Sequence, residues 1–484
     1  MRKFDTNVQE LKYKILREVA RLAFHGRLEP QDLMDLPEKI IPGPKAQSRC
    51  CIYKERAIVA QRIQMALGGH EAHKTEVEVL SIACDECPVS EITVGDACRG
   101  CIAHRCANAC PRDAIHFEGH RAVIDHDKCV KCGRCVAVCP YGAITKNVRP
   151  CERACKAGAI TMDEDRKAAI NEDKCVNCGA CVYQCPFGAI VDKSYMLDAI
   201  DLLQKSKMAG EDGPRVYAVV APSISGQFGA VKTGQIAAAL KVMGFHTVIE
   251  AALGADMVAY LEAKELAEKG FLTSSCCPAF VNYIEKNYPA LVSHISHNLS
   301  PMAQMAQVIK GAHPNAKVVF IGPCVAKKGE RKREKVRDLV DCVLTFEELQ
   351  AMIDALEINL AAMPDEDPNN ASYYGRIFAR SGGLTDAVAQ ALKEQGSRFA
   401  AKSAVCSGLE ECKVALLKAS KGLLSENFIE GMACEQGCIG GAACLTHGPK
   451  EKAEVDKYGR LAIEKNIKDA IVIFDILKPN KEGN

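Results

Sequence analysis

Cysteine is the residue type in this sequence whose number and spacing suggest a chemical role. The chain has 27 cysteines among 484 residues, and many of them form CxxC pairs. Disulfide frameworks are typical of short secreted chains, whereas this chain is long and its first residues, MRKFDTNVQELKYK, lack the apolar core of a signal peptide. We therefore expect a cytoplasmic protein whose reduced thiols bind metal.

Four segments share one pattern, Cys-x3-Cys followed by a short turn that ends in Ala-Ile, at residues 106–115, 135–144, 151–160 and 181–190. Such a repeat indicates one structural unit used several times. A [4Fe–4S] cube needs four thiolates, and a CxxCxxCxxxCP run is the bacterial ferredoxin loop that supplies them. Zinc also binds CxxC pairs, but the proline after the last cysteine of each run favours iron-sulfur clusters. The runs are Cys129, Cys132, Cys135 and Cys139; Cys175, Cys178, Cys181 and Cys185; and a variant with two extra residues, Cys98, Cys101, Cys106 and Cys110.

The stretch resembles a bacterial-type polyferredoxin, in which cysteines of neighbouring loops share clusters. In two-cluster ferredoxins the fourth cysteine of a loop binds the other cluster. Crossed pairing predicts one cube on Cys98, Cys101, Cys106 and Cys139, a second on Cys129, Cys132, Cys135 and Cys110, and a third on Cys175, Cys178, Cys181 and Cys155.

The third repeat predicts a fourth cube. Cys151 and Cys155 form the tail of a ferredoxin loop without a CxxC pair directly before it, and Cys185 lacks a partner cube. The unassigned CxxC pair of this region is Cys84 and Cys87, so we expect Cys84, Cys87, Cys151 and Cys185 to hold a cube. Repeats one and two would then be inserted between its head and its tail. The alternative is that Cys84 and Cys87 are structural or bind nothing, which leaves three accessory cubes.

Three further cysteine motifs lie far apart in the second half of the chain: TSSCCPAF (273–280), IGPCVAKK (321–328) and EGMACEQGCIGG (430–441). Dispersed ligands of this kind predict a buried site between two lobes, unlike a ferredoxin loop. Spacing alone also allows an ordinary structural cube. The candidate thiolates are Cys276, Cys277, Cys324, Cys434 and Cys438.

These motifs resemble the three signatures of [FeFe]-hydrogenases, typically TSCCPxW, MPCxxKxxE and ExMACxGGCxxGG, over roughly residues 215–450. The resemblance implies an H-cluster, a cube linked to a two-iron subsite with CO, CN⁻ and a bridging dithiolate. Cys276 would pass protons to the subsite, and Lys327 would hydrogen-bond a cyanide, as an ammonium can in a dry pocket. The implied cube ligands are Cys277, Cys324, Cys434 and Cys438, the last bridging to the subsite.

The resemblance also implies a proton path on the segment GADMVAYLEAKEL (254–266), with Glu262, Glu265 and then Ser296. The two glutamates are three residues apart and so share a helix face, which would otherwise be interpreted as a solvated surface. Pro222 and Ser223, after Ala221, match the loop packed near the two-iron subsite.

Several residues depart from the signatures, although Met432 is retained. Phe280 replaces the usual Trp, Gly322 replaces Met, and Glu435-Gln436 replace small residues. This pattern resembles the less-studied group B branch.

The function that the resemblance implies is reversible reduction of protons to H2. The implied partners are ferredoxin or a similar one-electron carrier and dedicated H-cluster maturases. The alternatives are an H2 sensor and a non-catalytic relative such as the eukaryotic iron-sulfur assembly proteins. Those relatives lack counterparts of Cys276 and Lys327.

Apolar spacing and turn signals along the sequence predict four regions. Residues 1–80 carry helical spacing and form a helical N-terminal segment, residues 81–193 form α+β ferredoxin-like modules with a hairpin between paired repeats, and 194–214 form a linker that includes a helix. Residues 215–484 form an α/β two-lobed H-cluster domain with strand-like runs at 216–224, 316–324 and 470–477. Helices are predicted at 233–243, 256–269, 301–311, 346–356 and 384–395, and a surface loop at 361–375.

Charge and hydropathy exclude two classes of function. The 62 Lys and Arg balance 61 Asp and Glu, which argues against a nucleic-acid binder. No apolar stretch approaches the roughly 18–20 residues that cross a bilayer. The cysteines outside the motifs are expected to be buried structural thiols, namely Cys50, Cys51, Cys342, Cys406, Cys412 and Cys444.

Overall fold

Three helices begin the chain in the computed structural model, which describes residues 4–210 and 213–474. They are α1 (Asn7–Phe24), α2 (Pro30–Ile40) and α3 (Ile52–Ala66). The Thr6 hydroxyl accepts a hydrogen bond from the amide of Gln9 and so caps α1. The prediction that Cys50 and Cys51 are buried is wrong, since both lie exposed in the turn before α3.

The cysteine-rich region is built from short strands and single-turn helices. The strand pairs β3–β4 and β6–β7 are the two predicted hairpins, each antiparallel and each connecting two repeats. The elements are β1 (Val77–Val79), β2 (Ile92–Val94), α4 (Arg105–Asn108), β3 (Ile115–Glu118), β4 (Arg121–Ile124), α5 (Arg134–Val138), β5 (Ile144–Lys146), α6 (Pro150–Ala154), β6 (Ile160–Met162), β7 (Ala168–Ile170), α7 (Ala180–Gln184) and β8 (Ile190–Asp192).

The strand pairing in this region is nested. Strand β2 pairs antiparallel with β5 and closes an inner unit over residues 92–146. Strand β1, from the segment predicted to be helical, pairs antiparallel with β8 and closes an outer unit around it. The chain therefore enters the outer unit, makes the whole inner unit as an insertion, and then returns to complete the outer one.

The helix α8 (Met196–Ala209) occupies the segment predicted as a linker. Its residues Met196, Ala199 and Ile200 are at most 2% exposed and belong to the main hydrophobic core. The helix predicted within this segment is confirmed, and its buried face is packed between α1 and the strands that follow. Glu211 and Asp212, in the loop after α8, lie outside the described residues.

The remaining chain forms two parallel sheets surrounded by helices. One sheet has the strand order β10-β9-β12-β13, and the other has the order β11-β15-β14. The elements are β9 (Val216–Val220), α9 (Thr233–Val242), β10 (Thr247–Glu250), α10 (Ala251–Lys269), β11 (Leu272–Thr273), α11 (Pro278–Asn287), α12 (Pro301–Ala312), β12 (Lys317–Gly322), α13 (Val325–Glu330), β13 (Cys342–Thr345), α14 (Phe346–Ala355), α15 (Tyr373–Ile377), α16 (Gly383–Glu394), β14 (Ser403–Ser407), α17 (Leu409–Ser420), β15 (Phe428–Met432), α18 (Lys450–Arg460) and α19 (Ile467–Ile471).

The five helices predicted in this part are confirmed, and so are the strands beginning near residues 216 and 316. The strand predicted at 470–477 is wrong where the structure describes it. Residues 467–471 form α19, whose Ile467 and Ile471 are fully buried at helical spacing. Residues 475–477 lie outside the described part of the chain.

Strands β9 and β12 are neighbours whose connections leave in opposite directions. The chain goes from β9 to β10 at one edge and from β12 to β13 at the other. Parallel sheets open a crevice beyond the carboxyl ends of two such strands. The segments that leave these ends begin with Ala221 and Pro323, so the crevice lies between the two predicted site loops.

Candidate metal centre

The four predicted cube ligands of the C-terminal part lie just beyond the ends of parallel strands. Cys324 follows β12, and Cys277 follows β11 and precedes Pro278 at the first position of α11. Cys434 follows β15, and Cys438 begins the next short turn. Because these ends meet, four cysteines from three distant motifs converge.

These four residues are partly buried, and their thiols influence one another. Burial and, next in size, the neighbouring Cys277 raise the pKa of Cys324 to about 11. Burial raises the pKa of Cys438 to about 12, with further contributions from Cys324 and Cys277. Burial also raises the pKa of Cys434, with Cys324 and Cys277 as the next causes. Metal binding relieves such crowding because it replaces the thiol protons with a cation.

A cavity of about 80 Å³ adjoins this group of thiols. Its walls are mostly apolar, and the few polar side chains include Ser223 and Lys327. The Ser223 hydroxyl is buried without a hydrogen-bond partner among the described residues, so it is free to donate to a ligand. The lining residues are Ala221, Pro222, Ser223, Ala251, Ala255, Cys276, Cys277, Pro278, Pro301, Met302, Phe320, Pro323, Cys324, Lys327, Phe378, Ala379, Met432 and Cys438.

The Lys327 ammonium is held at the wall of this cavity by two contacts. Its Nζ donates to the carbonyl oxygen of Cys276 at 3.3 Å and lies 2.6 Å from Glu330 Oε2. Burial lowers the pKa of Lys327, but Glu330 more than offsets this, so the pKa is raised overall. Glu330 was absent from the predicted site, although the MPCxxKxxE signature places a glutamate three residues after the lysine.

The side chains of the predicted proton path lie near one another. Glu262 is fully buried, and its Oε1 accepts from the amide and the hydroxyl of Ser275 at 3.1 Å. Burial raises the pKa of the buried Cys276 thiol, and Glu262 is the second cause, so these two groups are neighbours. Burial raises the pKa of Glu262 itself to about 7, a value suited to both taking and giving protons near neutrality.

The path continues from Glu262 toward the surface. The Ser296 hydroxyl donates to Glu265 Oε2 at 3.0 Å and lies near Glu262, whose buried Oε2 has no hydrogen-bond partner among the described residues. Glu265 Oε1 lies 2.6 Å from Lys269 Nζ and 3.2 Å from His297 Nδ1. The His297 side chain is 71% exposed. The set therefore runs from a buried thiol to a solvent-exposed imidazole.

The accessory cysteines form four groups of neighbours. Burial raises the pKa of Cys178, and Cys175 and Cys155 raise it as well. Burial also raises the pKa of Cys181, followed by the effects of Cys178, Cys175 and Cys155. Cys277 also raises the pKa of Cys178, so this group is adjacent to the C-terminal thiols.

The second group contains the four thiols of the predicted fourth cube. Burial raises the pKa of Cys151 to about 11, and the further causes include Cys185, Cys84 and Cys87. Two cations close to this group have unsatisfied nitrogens: the buried Nε of Arg62 and the buried Nη1 of Arg149 have no hydrogen-bond partner among the described residues. Cys185 raises the pKa of Arg62, although burial lowers it overall. Arg149 Nη2 donates a hydrogen bond to the Cys87 carbonyl.

The inner unit holds the other two groups. Burial raises the pKa of Cys106, and nearby backbone amides lower it. Cys101 and Cys139 are the next causes and raise it, so the three thiols are neighbours, as crossed pairing requires. Four cysteines of the other predicted cube line one small cavity: Cys110, Cys129, Cys132 and Cys135.

The inner and outer units hold corresponding sulfurs with corresponding backbone amides. In the inner unit the amide of Ala122, in β4, donates to Cys98 Sγ at 3.4 Å. In the outer unit the amide of Ala168, in β7, donates to Cys84 Sγ at 3.3 Å. Cys84 thus occupies the place in the outer unit that the first cysteine of a ferredoxin loop occupies in the inner one.

Two further features concern residues outside these groups. Within the described residues no three His, Cys, Asp or Glu side chains are close enough to hold a single metal ion, and a cube spreads its ligands over four corners. The remaining buried thiols donate to backbone carbonyls, as expected for structural cysteines: Cys342 to Tyr195, Cys406 to Ala404, Cys412 to Met432 and Cys444 to Ile439.

None of the residues that depart from the signatures lines the subsite cavity. Glu435 and Gln436 face a separate cleft of about 460 Å³ between the cysteine-rich region and the last motif. A Cβ at Gly322 would lie 2.7 Å from the Phe320 ring, and a Cβ at Gly431 would lie 2.3 Å from the Phe280 ring. Glycine at these positions therefore accommodates the neighbouring phenylalanines.

Comparison with known proteins identifies the family of this chain. The family model for the C-terminal domain of the iron only hydrogenase large subunit matches residues 214–442, a 4Fe-4S binding domain matches 122–145, and a 4Fe-4S dicluster domain matches 148–189. The chain combines ferredoxin-like 4Fe-4S domains with an α/β catalytic domain of the hydrogenase type. Iron hydrogenase 1 of Clostridium pasteurianum is 30% identical over 72% of this chain and 69% of its own length. The chain belongs to the iron-only hydrogenase family, whose members carry iron-sulfur clusters and an H-cluster.

Other relatives show the breadth of the similarity. The HndD subunit of an NADP-reducing hydrogenase from Solidesulfovibrio fructosivorans is 28% identical over 66% of this chain and 56% of its own length. The cytosolic Fe-S cluster assembly factor NAR1 of Eremothecium gossypii is 38% identical over 21% of this chain and 22% of its own length. The solved structure of HydA1 from Chlamydomonas reinhardtii matches 58% of this chain and 94% of its own at 20% identity, with a TM-score of 0.48. Among the described residues, no helix has the length and apolar character needed to span a membrane.

Proposed function

We propose that the chain catalyses the reversible reduction of protons to H2 at an H-cluster. Cys277, Cys324, Cys434 and Cys438 would hold its cube, and the adjoining cavity would take the two-iron subsite. When bound, the H-cluster supplies the redox chemistry that combines two protons with two electrons. The residues fit this group, because a ring of partly buried thiols lies beside an apolar cavity with a hydroxyl that has no partner among the described residues.

The observation that carries the proposal is the position of Cys276. Its thiol is in excess of the four that a cube needs, lines the cavity, and is a neighbour of Glu262. Cys276 would exchange protons at its Sγ, with Glu262, Ser296 and Glu265 as successive carriers to the surface. Lys327, fixed by Glu330, would present its ammonium to the anionic ligands of the subsite.

Electrons would reach this site through the accessory cubes, from ferredoxin or a similar one-electron carrier. We favour four cubes over three, because the Cys84 sulfur has the same amide contact as Cys98 and because Arg62 and Arg149 leave buried donors beside the group. An anionic cube there would compensate both cations. The order along the path would be the inner unit, the outer unit and then the C-terminal thiols.

Infrared spectroscopy tests the proposal. The chain, produced in a cytoplasmic host together with H-cluster maturases, should show CO and CN⁻ stretching bands and form H2 from a reduced dye. A matched sample made without maturases should lack the bands and keep its cube absorption. A non-catalytic relative, the alternative that the NAR1 similarity raises, would lack the bands in both samples. A sensor would show bands but a turnover too slow for a metabolic enzyme.

A further inference from the structure

The inner unit exposes one of its predicted cube ligands at the surface. Among all the cysteines assigned to cubes, Cys132 alone is exposed, whereas the others are buried or partly buried. Its neighbour in sequence, Val130, is 57% exposed, although it is a large apolar side chain. The cube of Cys132 is therefore the one nearest to solvent, and its surroundings are partly apolar.

Cations surround this ligand. Arg112 and Val130 line the same small cavity as Cys132. Lys131 and Arg134 flank Cys132 in sequence, and both are exposed. The Cβ position of Gly133 lies 3.9 Å from Lys146 Cδ, which places a fourth cation beside the loop.

These cations are not neutralised by the protein. None of Arg112, Lys131, Arg134 and Lys146 lies within ion-pairing distance of a described carboxylate, whereas the nearby Lys128 is 3.3 Å from Asp125. Among the described residues, only one acidic residue is adjacent in sequence to any of these four cations. It is Asp113, which follows Arg112, is exposed and forms no ion pair with a described residue. Residues 92–147 contain eight Lys and Arg against five Asp and Glu, while the whole chain is balanced. The excess positive charge is thus a local property of the inner unit.

We propose that this surface, formed by Arg112, Val130, Lys131, Arg134 and Lys146 around Cys132, is the docking face for a small acidic one-electron carrier protein. The inference rests on the proposed function, because it needs a cube on Cys110, Cys129, Cys132 and Cys135. Unpaired cations attract an acidic partner from a distance and orient it. The exposed valine beside the ligand supplies an apolar contact at the centre, where one electron passes between the partner and the cube.

Charge reversal tests the docking face. The full chain with Lys131→Glu and Arg134→Glu is compared with the parent and with a control, Lys335→Glu and Lys393→Glu, which reverses two exposed unpaired lysines of the C-terminal part. The probe is a reduced acidic two-cluster bacterial ferredoxin at low ionic strength. We expect the KM for this ferredoxin to rise about tenfold in the first variant and to change less than about twofold in the control. High salt should remove most of the difference, since it screens surface charges.

Two further measurements keep the outcome decisive. H2 formation from reduced methyl viologen, a small cation, should not fall in either variant, and equal iron content verifies that the cubes are intact. Calorimetric titration with oxidised ferredoxin measures docking without H2 chemistry, so it remains informative if the parent forms no H2 and the proposed function fails. Equal ferredoxin affinity in parent and first variant, or an equal loss in both variants, would overturn the docking face. Tighter binding of a basic carrier such as a cytochrome to the parent would overturn it as well.

Discussion

At the scale of single residues, the proposed function gives two adjacent cysteines different roles. Cys276 and Cys277 both line the cavity, but Cys276 is influenced by Glu262, whereas Cys277 influences Cys324. Lys327 and Glu330 form a buried ion pair beside them. Each of these groups allows a substitution with a distinct readout.

Cys276→Ala should keep the clusters but remove most H2 turnover. A group that delivers protons at a reaction centre commonly contributes about 10²–10⁴-fold, and alanine cannot replace it. Turnover with reduced dye and the CO and CN⁻ bands are measured together. Cys444→Ala, which removes another buried thiol, is the matched control and should retain activity. Near-parental turnover of Cys276→Ala would mean that protons take another route, and loss of iron would make Cys276 a ligand.

Lys327→Ala should lower occupancy of the two-iron subsite and leave the accessory cubes intact. The substitution removes the buried ammonium beside anionic ligands and also leaves Glu330 without its ion-pair partner. Infrared bands report the subsite, and EPR of the reduced protein reports the cubes. The exposed Lys335→Ala is the control. Full subsite occupancy together with full activity in Lys327→Ala would refute the assigned role.

Glu262→Gln should slow turnover and change how stability depends on pH. Burial raises the pKa of Glu262 from 4.5 to about 7, so the folded state binds the proton more tightly than the unfolded state. This contribution to stability is complete below about pH 4.5 and is lost as pH rises through 7, amounting to about 3 kcal/mol at most. Glutamine stays neutral, so the Tm of the variant should rise relative to the parent between pH 5 and pH 8.

The control for this substitution is Glu268→Gln, an exposed glutamate on the same helix. It should leave both the turnover and the pH dependence of Tm unchanged. A constant difference in Tm between Glu262→Gln and the parent across this range would show that the carboxyl does not change ionisation in the folded protein.

At the scale of elements, positions are set by strand ends and by nested hairpins. Helix α10, which carries Glu262 and Glu265, passes close to α12 because Gly254 lies there: a Cβ would meet the Pro301 carbonyl at 2.3 Å. In the cysteine-rich region, β1–β8 and β2–β5 make one ferredoxin-like unit an insertion in the other. That topology brings Cys84 and Cys87 to Cys151 across the whole inner unit.

The double variant Cys84→Ala and Cys87→Ala should lose one cube and keep the CO and CN⁻ bands. Four accessory cubes with an H-cluster correspond to about 22 irons per chain, and three correspond to about 18. Iron analysis and EPR of the reduced protein therefore distinguish the alternatives. Cys406→Ala with Cys412→Ala removes two buried thiols that are not assigned to a cluster and serves as the control. An iron content equal to that of the parent would show that Cys84 and Cys87 hold no cube and that the chain has three accessory cubes.

At the scale of the whole molecule, the proposed electron path and proton path approach the same cavity from different sides. The accessory thiols reach it through Cys178, which adjoins Cys277. The proton carriers reach it through Cys276 from the exposed His297. Helices α1 and α8 pack into the core of the C-terminal part, so the N-terminal segment stabilises the arrangement that joins the two regions.

From the sequence alone we could infer the family, a set of candidate cluster ligands and most of the secondary structure. Ligand chemistry is local: CxxC spacing, a proline after the last cysteine and a lysine three residues after Cys324 are visible in short windows of sequence. Apolar spacing likewise indicated the five helices and two strands of the C-terminal part. The same rules failed for residues 470–474, since a short apolar run suits a strand or a buried helix equally well.

Which distant residues meet depends on the fold. The Lys327 ammonium reaches the Cys276 carbonyl, and His297 comes next to Glu265, because neighbouring strands and helices bring their ends together. The helix in the segment 194–214 was predicted, but its burial was not, because burial depends on the partner surface that α1 and the sheet provide. The uncompensated charge around Cys132 also required the fold, since ion pairing depends on distances between side chains that a balanced overall composition does not reveal.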